Sequence, residues 1–573
     1  MTVIGDACPP ASTTTPAPLL PPPEPAAVTA GLDEPQRAAL PLGILNPAVI
    51  PYGSSAQHAQ LLAGRSRYLC YFLHRHLEFR LAEVECLAGL VQQQQRQKER
   101  QQQKEQQDGQ EEGREAQQEA EQQQAKEQQG EQPEGQQRAV VWEKPFENWH
   151  DSPLWYAHMH GGDSAAAAVA ARSMLCRVVL ELWGEADSLE ELRRVLAERK
   201  EERRALWGRP DQSFKYVVET YGCSYSMQRQ VELIESFDGC NGFQGPIDLR
   251  SPQLRFWIVV CKPNGQGLPH LKERYYFGRE VGAGDRTPLA TYDLRRRRYL
   301  GPTSMDTEMS FLMCNMAQVR RYSLVLDPFV GTGSVLVPAT HLGALTLGAD
   351  IDIRVIKIGK KDAAGQPVNI WTNFADYGLQ PPLGLLRCDL HTAPFRDGLR
   401  GVLDAIVCDP PYGVRAGGKK SVGREREIKP HGDYVPSTAP YTVAECMHDL
   451  LDCAARLLVV GGRLAYWLPA APDFYSEEEV PRHPALQLVA NCEQLLSSRY
   501  SRRLIIMQKV QRYDAAEAEA YFEARGPPVL SIDCIHEHVY KTPAQLAADA
   551  GLSLAEHRAV QAARTPLNRG KNI

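Results

Sequence analysis

Apolar and polar positions along the chain fall into two patterns that meet near residue 300. In the earlier part, strand-like and helix-like stretches follow one another without regular alternation. Tyr68-Leu69-Cys70-Tyr71-Phe72-Leu73 is a strand-like run, and Phe79 to Val91 carries Leu81, Val84, Leu87 and Leu90 near helical spacing. Leu154-Trp155-Tyr156-Ala157 predicts a further strand. Ser173 to Trp183 places Met174, Leu175, Val178, Val179 and Leu182 on one helical face, with Gly184 as its stop, and so predicts a helix. Phe214–Glu219, Leu254–Val260 and Arg274–Val281 read as strands, which makes this region a mixed α+β unit.

From Tyr322 onward, short apolar strands alternate with helices. The strand candidates are Leu324–Leu326, Leu345–Ala349, Leu385–Cys388, Ala405–Cys408, Arg463–Leu468 and Leu504–Val510. This alternation predicts a doubly wound, mostly parallel α/β sheet. Such sheets bind ligands beyond the carboxyl ends of their strands, so chemistry is sought there.

Composition sets the limits of these two units. At 573 residues the chain is too long for one compact domain, and about three units are expected. Residues 1–66 form a proline- and alanine-rich extension, expected to be disordered. The α+β region spans 67–300, the α/β domain 301–525, and 526–573 is a tail. Gln92 to Arg138 is almost entirely Gln, Glu, Lys and Arg, with nothing to bury. It reads as a solvated helix or a disordered insertion at 92–138, and carries no chemistry. The net charge of −6 argues against non-specific nucleic-acid coating but leaves room for a local basic groove. The 14 cysteines are scattered without a C-x-x-C pair, as expected of buried, reduced thiols rather than disulfides or a metal site. No apolar run is long enough to span a bilayer. The start lacks a secretory pattern, and Asp6, Glu24 and the want of early arginines count against an organellar leader. A cytoplasmic location is expected.

The candidate chemistry lies after the strands of the second pattern. The first strand is followed by Asp327-Pro328-Phe329-Val330-Gly331-Thr332-Gly333-Ser334, whose glycines let the backbone turn tightly and present amides to a ligand at a helix start. The second ends in Asp350-Ile351-Asp352, acids suited to ribose hydroxyls, and no arginine stands where a 2′-phosphate would be received. The third ends at Asp389, suited to an adenine amino group. The fourth ends in Asp409-Pro410-Pro411-Tyr412-Gly413, the decisive feature. An amine on a heterocycle is a poor nucleophile because its lone pair is delocalised into the ring. Acceptors for its N–H groups, here the Asp409 carboxylate and the Pro410 carbonyl, localise that pair. The two prolines stiffen the loop, and Tyr412 offers a ring on which the base stacks. Arg295, Arg296, Arg297 and Arg298 form a basic run just ahead of the α/β domain. Arg415, Lys419 and Lys420 sit in a glycine-bearing basic loop after Asp409, and both groups are candidate RNA contacts.

Together these residues resemble the class I S-adenosylmethionine-dependent methyltransferases of the D-P-P-Y amino group. The resemblance is closest to the tRNA guanine-N2 methyltransferases acting at tRNA position ten. It rests on Thr303-Ser304-Met305-Asp306, on Asp327 to Gly333, and on Asp409 to Arg415. It extends to Gly461-Gly462-Arg463-Leu464, Tyr466-Trp467-Leu468-Pro469, Asn491-Cys492-Glu493-Gln494 and Ser501-Arg502-Arg503-Leu504. Tyr68 to Phe72, His74 to Leu77 and Glu181 to Gly184 resemble the leading region of that family. The resemblance covers roughly residues 67–510 and leaves the insertion, extension and tail unmatched. It implies a Rossmann-like methyltransferase domain after an RNA-binding THUMP-like module within 150–290. It also implies S-adenosylmethionine as cofactor, tRNA as substrate and a small zinc-binding adaptor as activating partner. The zinc would belong to the adaptor, and no metal site is expected in this chain.

Two other readings stay open at this level. One is the same chemistry on another acceptor, a DNA base or a protein glutamine; the α+β unit and the T-S-M-D segment favour RNA over DNA. The other is a non-catalytic RNA-binding scaffold, against which the intact Gly331, Gly333, Asp350 and Asp409–Tyr412 count.

Overall fold

The computed structural model describes residue 45 and residues 47–111, 138–145, 152–262, 272–411, 418–421, 438–472, 475–497, 500–525, 542–549 and 551–564. Two large sheets dominate. The first contains β1 (Val49–Ile50), β2 (Ser66–Phe72), β3 (Val140–Glu143), β4 (Leu154–Met159), β5 (Cys176–Ala186), β6 (Phe214–Tyr221), β7 (Leu254–Cys261) and β8 (Arg274–Ala283). Their order is β1-β3-β4-β2-β5-β8-β7-β6. The pairs β1/β3 and β6/β7 are parallel and the remainder antiparallel. β2 shows why its residues form a central strand. Tyr68, Cys70 and Phe72 enter one core, Leu69 and Tyr71 the core on the opposite face, so the two-residue period buries both sides.

The stretch Ser173–Trp183, expected as a helix, is strand β5 for most of its length. It lies between β2 and β8 with apolar layers on both faces, so its apolar residues run nearly without interruption, and the adjacent Val178 and Val179 suit a strand. Gly184 is not a helix stop; it sits at a register irregularity against β8. The helix of this region comes earlier, at the alanine-rich Gly162–Arg172. Its small side chains let β8 approach so closely that a methyl group on Gly282 would lie 2.7 Å from the Ala167 Cα.

The helix Leu77–Glu111 continues well past Val91, so residues 92–111 are helical rather than disordered. β1, in the segment expected to be a disordered extension, pairs with β3 and buries Ile50. The disorder expected of residues 1–44 and 112–137, and the first part of the expected tail, 526–541, lie outside the described residues.

The second sheet holds β9 (Leu324–Asp327), β10 (Leu345–Asp350), β13 (Gly384–Arg387), β14 (Leu403–Cys408), β17 (Leu458–Ala470), β18 (Leu486–Leu495) and β19 (Ser501–Lys509). Two small antiparallel pairs, β11 (Lys360–Lys361) with β12 (Pro367–Val368) and β15 (Lys419–Ser421) with β16 (Thr438–Pro440), form separate two-stranded sheets. The order of the second sheet is β13-β10-β9-β14-β17-β19-β18, parallel from β13 to β17, with β19 antiparallel to both its neighbours. This is the expected Rossmann-like domain, with the addition of β18, whose period alone did not announce a strand. The chain reverses its winding between β9 and β14, and ligands of such sheets sit at that point.

One core runs through both sheets. Phe79 at the start of the long helix lies 6.1 Å from the Trp467 ring of β17, and both are fully buried. The wholly buried helix Thr307–Met316 fills the space between, capped by Asp306.

Candidate active site

At the end of β9 the chain turns through Asp327 to Gly333. The buried Asp327 carboxylate accepts from the Phe329 amide at 3.0 Å, and the Val330 amide donates to the Ala349 carbonyl at 2.8 Å. The first bond closes the turn and the second fastens it to β10. Gly331 and Gly333 have φ of +46° and +81°, a left-handed backbone that glycine adopts without strain. A methyl group on Gly333 would also press on Ile370 at 3.1 Å, whereas the space beside Gly331 is open.

The Gly331 amide donates to Asp350 Oδ2 at 3.1 Å, and the Asp352 amide to Asp350 Oδ1 at 2.9 Å. The acid after strand β10 is thereby aimed at the glycine turn. Asp352 pairs with Arg354 at its outer side, and that bond holds its carboxyl below the usual range. Asp389, after β13, caps the short turn Leu390–Thr392 by accepting from the His391 amide at 3.1 Å. Thr332 Oγ1 lies 2.8 Å from Ser304 Oγ, so the Thr303–Asp306 segment is laced to the same turn. Phe329 is half-buried beside it.

β14 delivers Asp409, Pro410 and Pro411 next to this turn; Asp409 is half-buried and Pro410 buried. Tyr412 and Arg415 lie outside the described residues. The hairpin that follows packs so closely that a methyl on Gly418 would meet the Tyr441 carbonyl at 2.6 Å and the Pro411 carbonyl at 3.5 Å.

The cleft is acidic. Burial drives the Asp327 carboxyl well above the usual carboxylate range; the Phe329 amide opposes this, while the negative charges of Asp350 and Asp409 reinforce it. Burial likewise raises Asp350, against the two amides it accepts. Carboxylates that feel one another around an open glycine turn form a site for a ligand bearing hydroxyls and positive charge. Gly331, Thr332, Gly333, Asp350, Asp352 and Asp389 all lie at or just beyond the carboxyl ends of β9, β10 and β13.

Comparison with known proteins shows the family of the chain. Residues 145–286 match the family described as Tmrp11 THUMP N-terminal domain, and residues 295–425 the RMKL-like methyltransferase domain. The tRNA (guanine(10)-N(2))-methyltransferase of Dictyostelium discoideum is 36% identical over 64% of this chain and 74% of its own length. That of Mus musculus is 36% identical over 64% of this chain and 82% of its own. The chain belongs to the tRNA (guanine(10)-N(2))-methyltransferase family. The relative from Gallus gallus is 31% identical over 79% of this chain and 90% of its own. Among solved structures, TrmN from Thermus thermophilus aligns at 17% identity over 63% of this chain and 90% of that one, with a TM-score of 0.32.

This methyltransferase places its sequence-nominated basic residues unequally. Arg297 is not a surface contact: it is 6% exposed, with its guanidinium donating to Ser334 Oγ at 3.2 Å. It fastens the entry segment to the residue that follows the glycine turn. Arg298 is exposed but paired with Asp362 and Asp376, and Arg295 with Asp293. Arg296 is exposed. Lys420 pairs with Glu445 at 2.8 Å, while the exposed Lys419 lies close enough to Asp352 to lower its titration. The strand residue Arg502, whose segment the family resemblance had marked without a role, reaches Asp409 Oδ2 at 3.4 Å. A charged residue at a partly inward position of a core strand was the available signal.

Proposed function

We propose that this methyltransferase transfers the methyl group of S-adenosylmethionine to the exocyclic N2 amine of guanine 10 in tRNA. The juxtaposition of the Asp327–Gly333 turn and Asp409-Pro410-Pro411 at neighbouring strand ends, β9 and β14, carries this reading. S-Adenosylmethionine supplies, when bound, a methyl group on a positively charged sulfur. Asp350 and Asp352 accept from ribose hydroxyls, Asp389 from the adenine amine, and the glycine turn leaves room for the backbone to come close. Asp409 and the Pro410 carbonyl accept the two N–H bonds of the guanine amine, which localises its lone pair. As the C–N bond forms and the C–S bond breaks, positive charge grows on the amine, and Asp409 stabilises it. The proton then leaves to Asp409 or to water.

The THUMP module within residues 145–286 grips the tRNA, with Arg295, Arg296 and Lys419 as candidate phosphate contacts of the catalytic domain. A small zinc-binding adaptor pairs along the catalytic domain. The support is β13, an edge strand among the described residues, flanked by the exposed Leu383 and containing the exposed Leu386. The enzyme works in the cytoplasm, in keeping with described cysteines that are all free thiols. No described helix is long and apolar enough to cross a membrane.

The test is methyl transfer to an unmodified tRNA transcript, with adaptor present, followed by digestion to nucleosides. Label in N2-methylguanosine, absent when the transcript carries adenine at position 10, is the expected result. Label in another nucleoside would reject the assignment, and tight tRNA binding without any label would favour the scaffold reading.

A further inference from the structure

We infer that Arg502 is a positioning residue for methyl transfer, holding the Asp409 carboxylate oriented toward the target amine. The inference rests on the function proposed above. Arg502 lies on β19, next but one to the strand that ends in Asp409. Its guanidinium reaches Asp409 Oδ2 at 3.4 Å, Gln494 Oε1 at 2.7 Å and Met305 Sδ at 3.7 Å. It also stacks 4.0 Å over the ring of the fully buried Trp467. The contacts come from four separate segments, β14, β18, the T-S-M-D segment and β17, so the cation is fixed before any substrate arrives.

The placement has a chemical consequence. The amine needs an acceptor whose oxygen is held at a fixed angle. A guanidinium 3.4 Å from Asp409 Oδ2 limits rotation of the carboxylate. The Trp467 ring and the Gln494 oxygen keep the guanidinium from swinging away to solvent, and the Arg502 side chain is only 12% exposed. The role is local to the amine-binding half of the cleft: none of these contacts involves the glycine turn, Asp350 or Asp352.

The test compares Arg502→Met with Arg502→Lys in the full chain with adaptor and tRNA. Methionine keeps the stacking bulk and removes the charge; lysine keeps the charge. The expected result for Arg502→Met is a fall in kcat of about a hundredfold, with KM for tRNA and for S-adenosylmethionine within about threefold of wild type. Arg502→Lys is expected to stay within about tenfold of wild-type kcat. Wild-type kcat in Arg502→Met would overturn the inference, as would a loss confined to KM for tRNA, which marks an RNA contact. Equal loss in both variants with a lowered Tm would assign Arg502 a structural role instead. A wild-type enzyme that leaves tRNA unlabelled in the same assay overturns the function itself, a failure separate from all of these.

Discussion

Asp350 shows how a single side chain sets the behaviour of the cofactor half of the cleft. Burial raises its titration, while the amides of Asp352 and Gly331 oppose that rise. Binding a ligand that needs the ionised carboxylate must expel any proton held there, so affinity falls as the pH is lowered through this raised range. S-Adenosylmethionine titrated into the enzyme across a pH series is therefore expected to bind more weakly toward acid. Asp350→Asn should weaken it by about 2 kcal/mol at neutral pH and lose most of the pH dependence; an unchanged acid dependence in the variant would assign it to another group. Gly333→Ala places a side chain at φ +81° and against Ile370, and should cost about 1–2 kcal/mol of stability by thermal melting. At this scale the placement of Asp327, Asp350, Asp389 and Asp409 at strand ends was legible, because each closes or follows an apolar run. That of Arg297 and Arg502 was not. Whether an arginine points into a core or out to solvent depends on partners far away in sequence, Ser334 for one and Asp409 for the other.

Elements that join the two sheets carry their own titration. Glu78, at the start of the long helix, accepts from the Glu493 amide of β18 at 2.7 Å and lies 3.5 Å from Arg503. Burial pushes its carboxyl up to about 7, against the opposing pull of Arg503. The folded state thus holds this proton more tightly than the unfolded chain. Its contribution to stability is complete below the ordinary carboxylate range and is lost as the pH rises through about 7. Glu78→Gln should remove this slope, which amounts to about 3 kcal/mol, in denaturant melts taken between pH 4 and 8. A variant with the wild-type slope would show that another group is responsible. Sequence period located β2, β4, β6, β7, β8 and most strands of the catalytic sheet, since each alternates or forms a short apolar block. It failed at β5 because a strand buried on both faces has no polar side to reveal its period, and its apolar spacing then imitates a helix.

Across the whole molecule, the division at residue 300 is a boundary of pattern and not of packing. The fully buried Glu83 carboxylate of the long helix accepts from Ser173 Oγ, the Met174 and Leu175 amides, and Asn315 Nδ2 at 2.6, 2.8, 3.1 and 2.7 Å. One side chain thus ties the long helix to the segment before β5 and to the helix Thr307–Met316. Glu83→Ala, which leaves these donors without an acceptor, should lower stability by about 3 kcal/mol or more. Residues 301–525 expressed alone would expose the face of Trp467 that Phe79 covers, and should show no cooperative thermal transition; a sharp one would refute the shared core. Such a core cannot be read from a linear pattern, because both partners look like ordinary amphipathic elements of their own domains.

The measurement that bears most directly on the account is the effect of Asp409→Asn on the product and on cofactor binding. Asparagine keeps the size of the side chain and the Pro410-Pro411 turn, but it removes the negative charge that accepts from the amine. The expected result is near-complete loss of N2-methylguanosine in tRNA, with S-adenosylmethionine affinity within about threefold of wild type, since the cofactor half of the cleft is untouched. Wild-type levels of N2-methylguanosine from Asp409→Asn would contradict the account, because the amine would then be activated without the negative charge of Asp409.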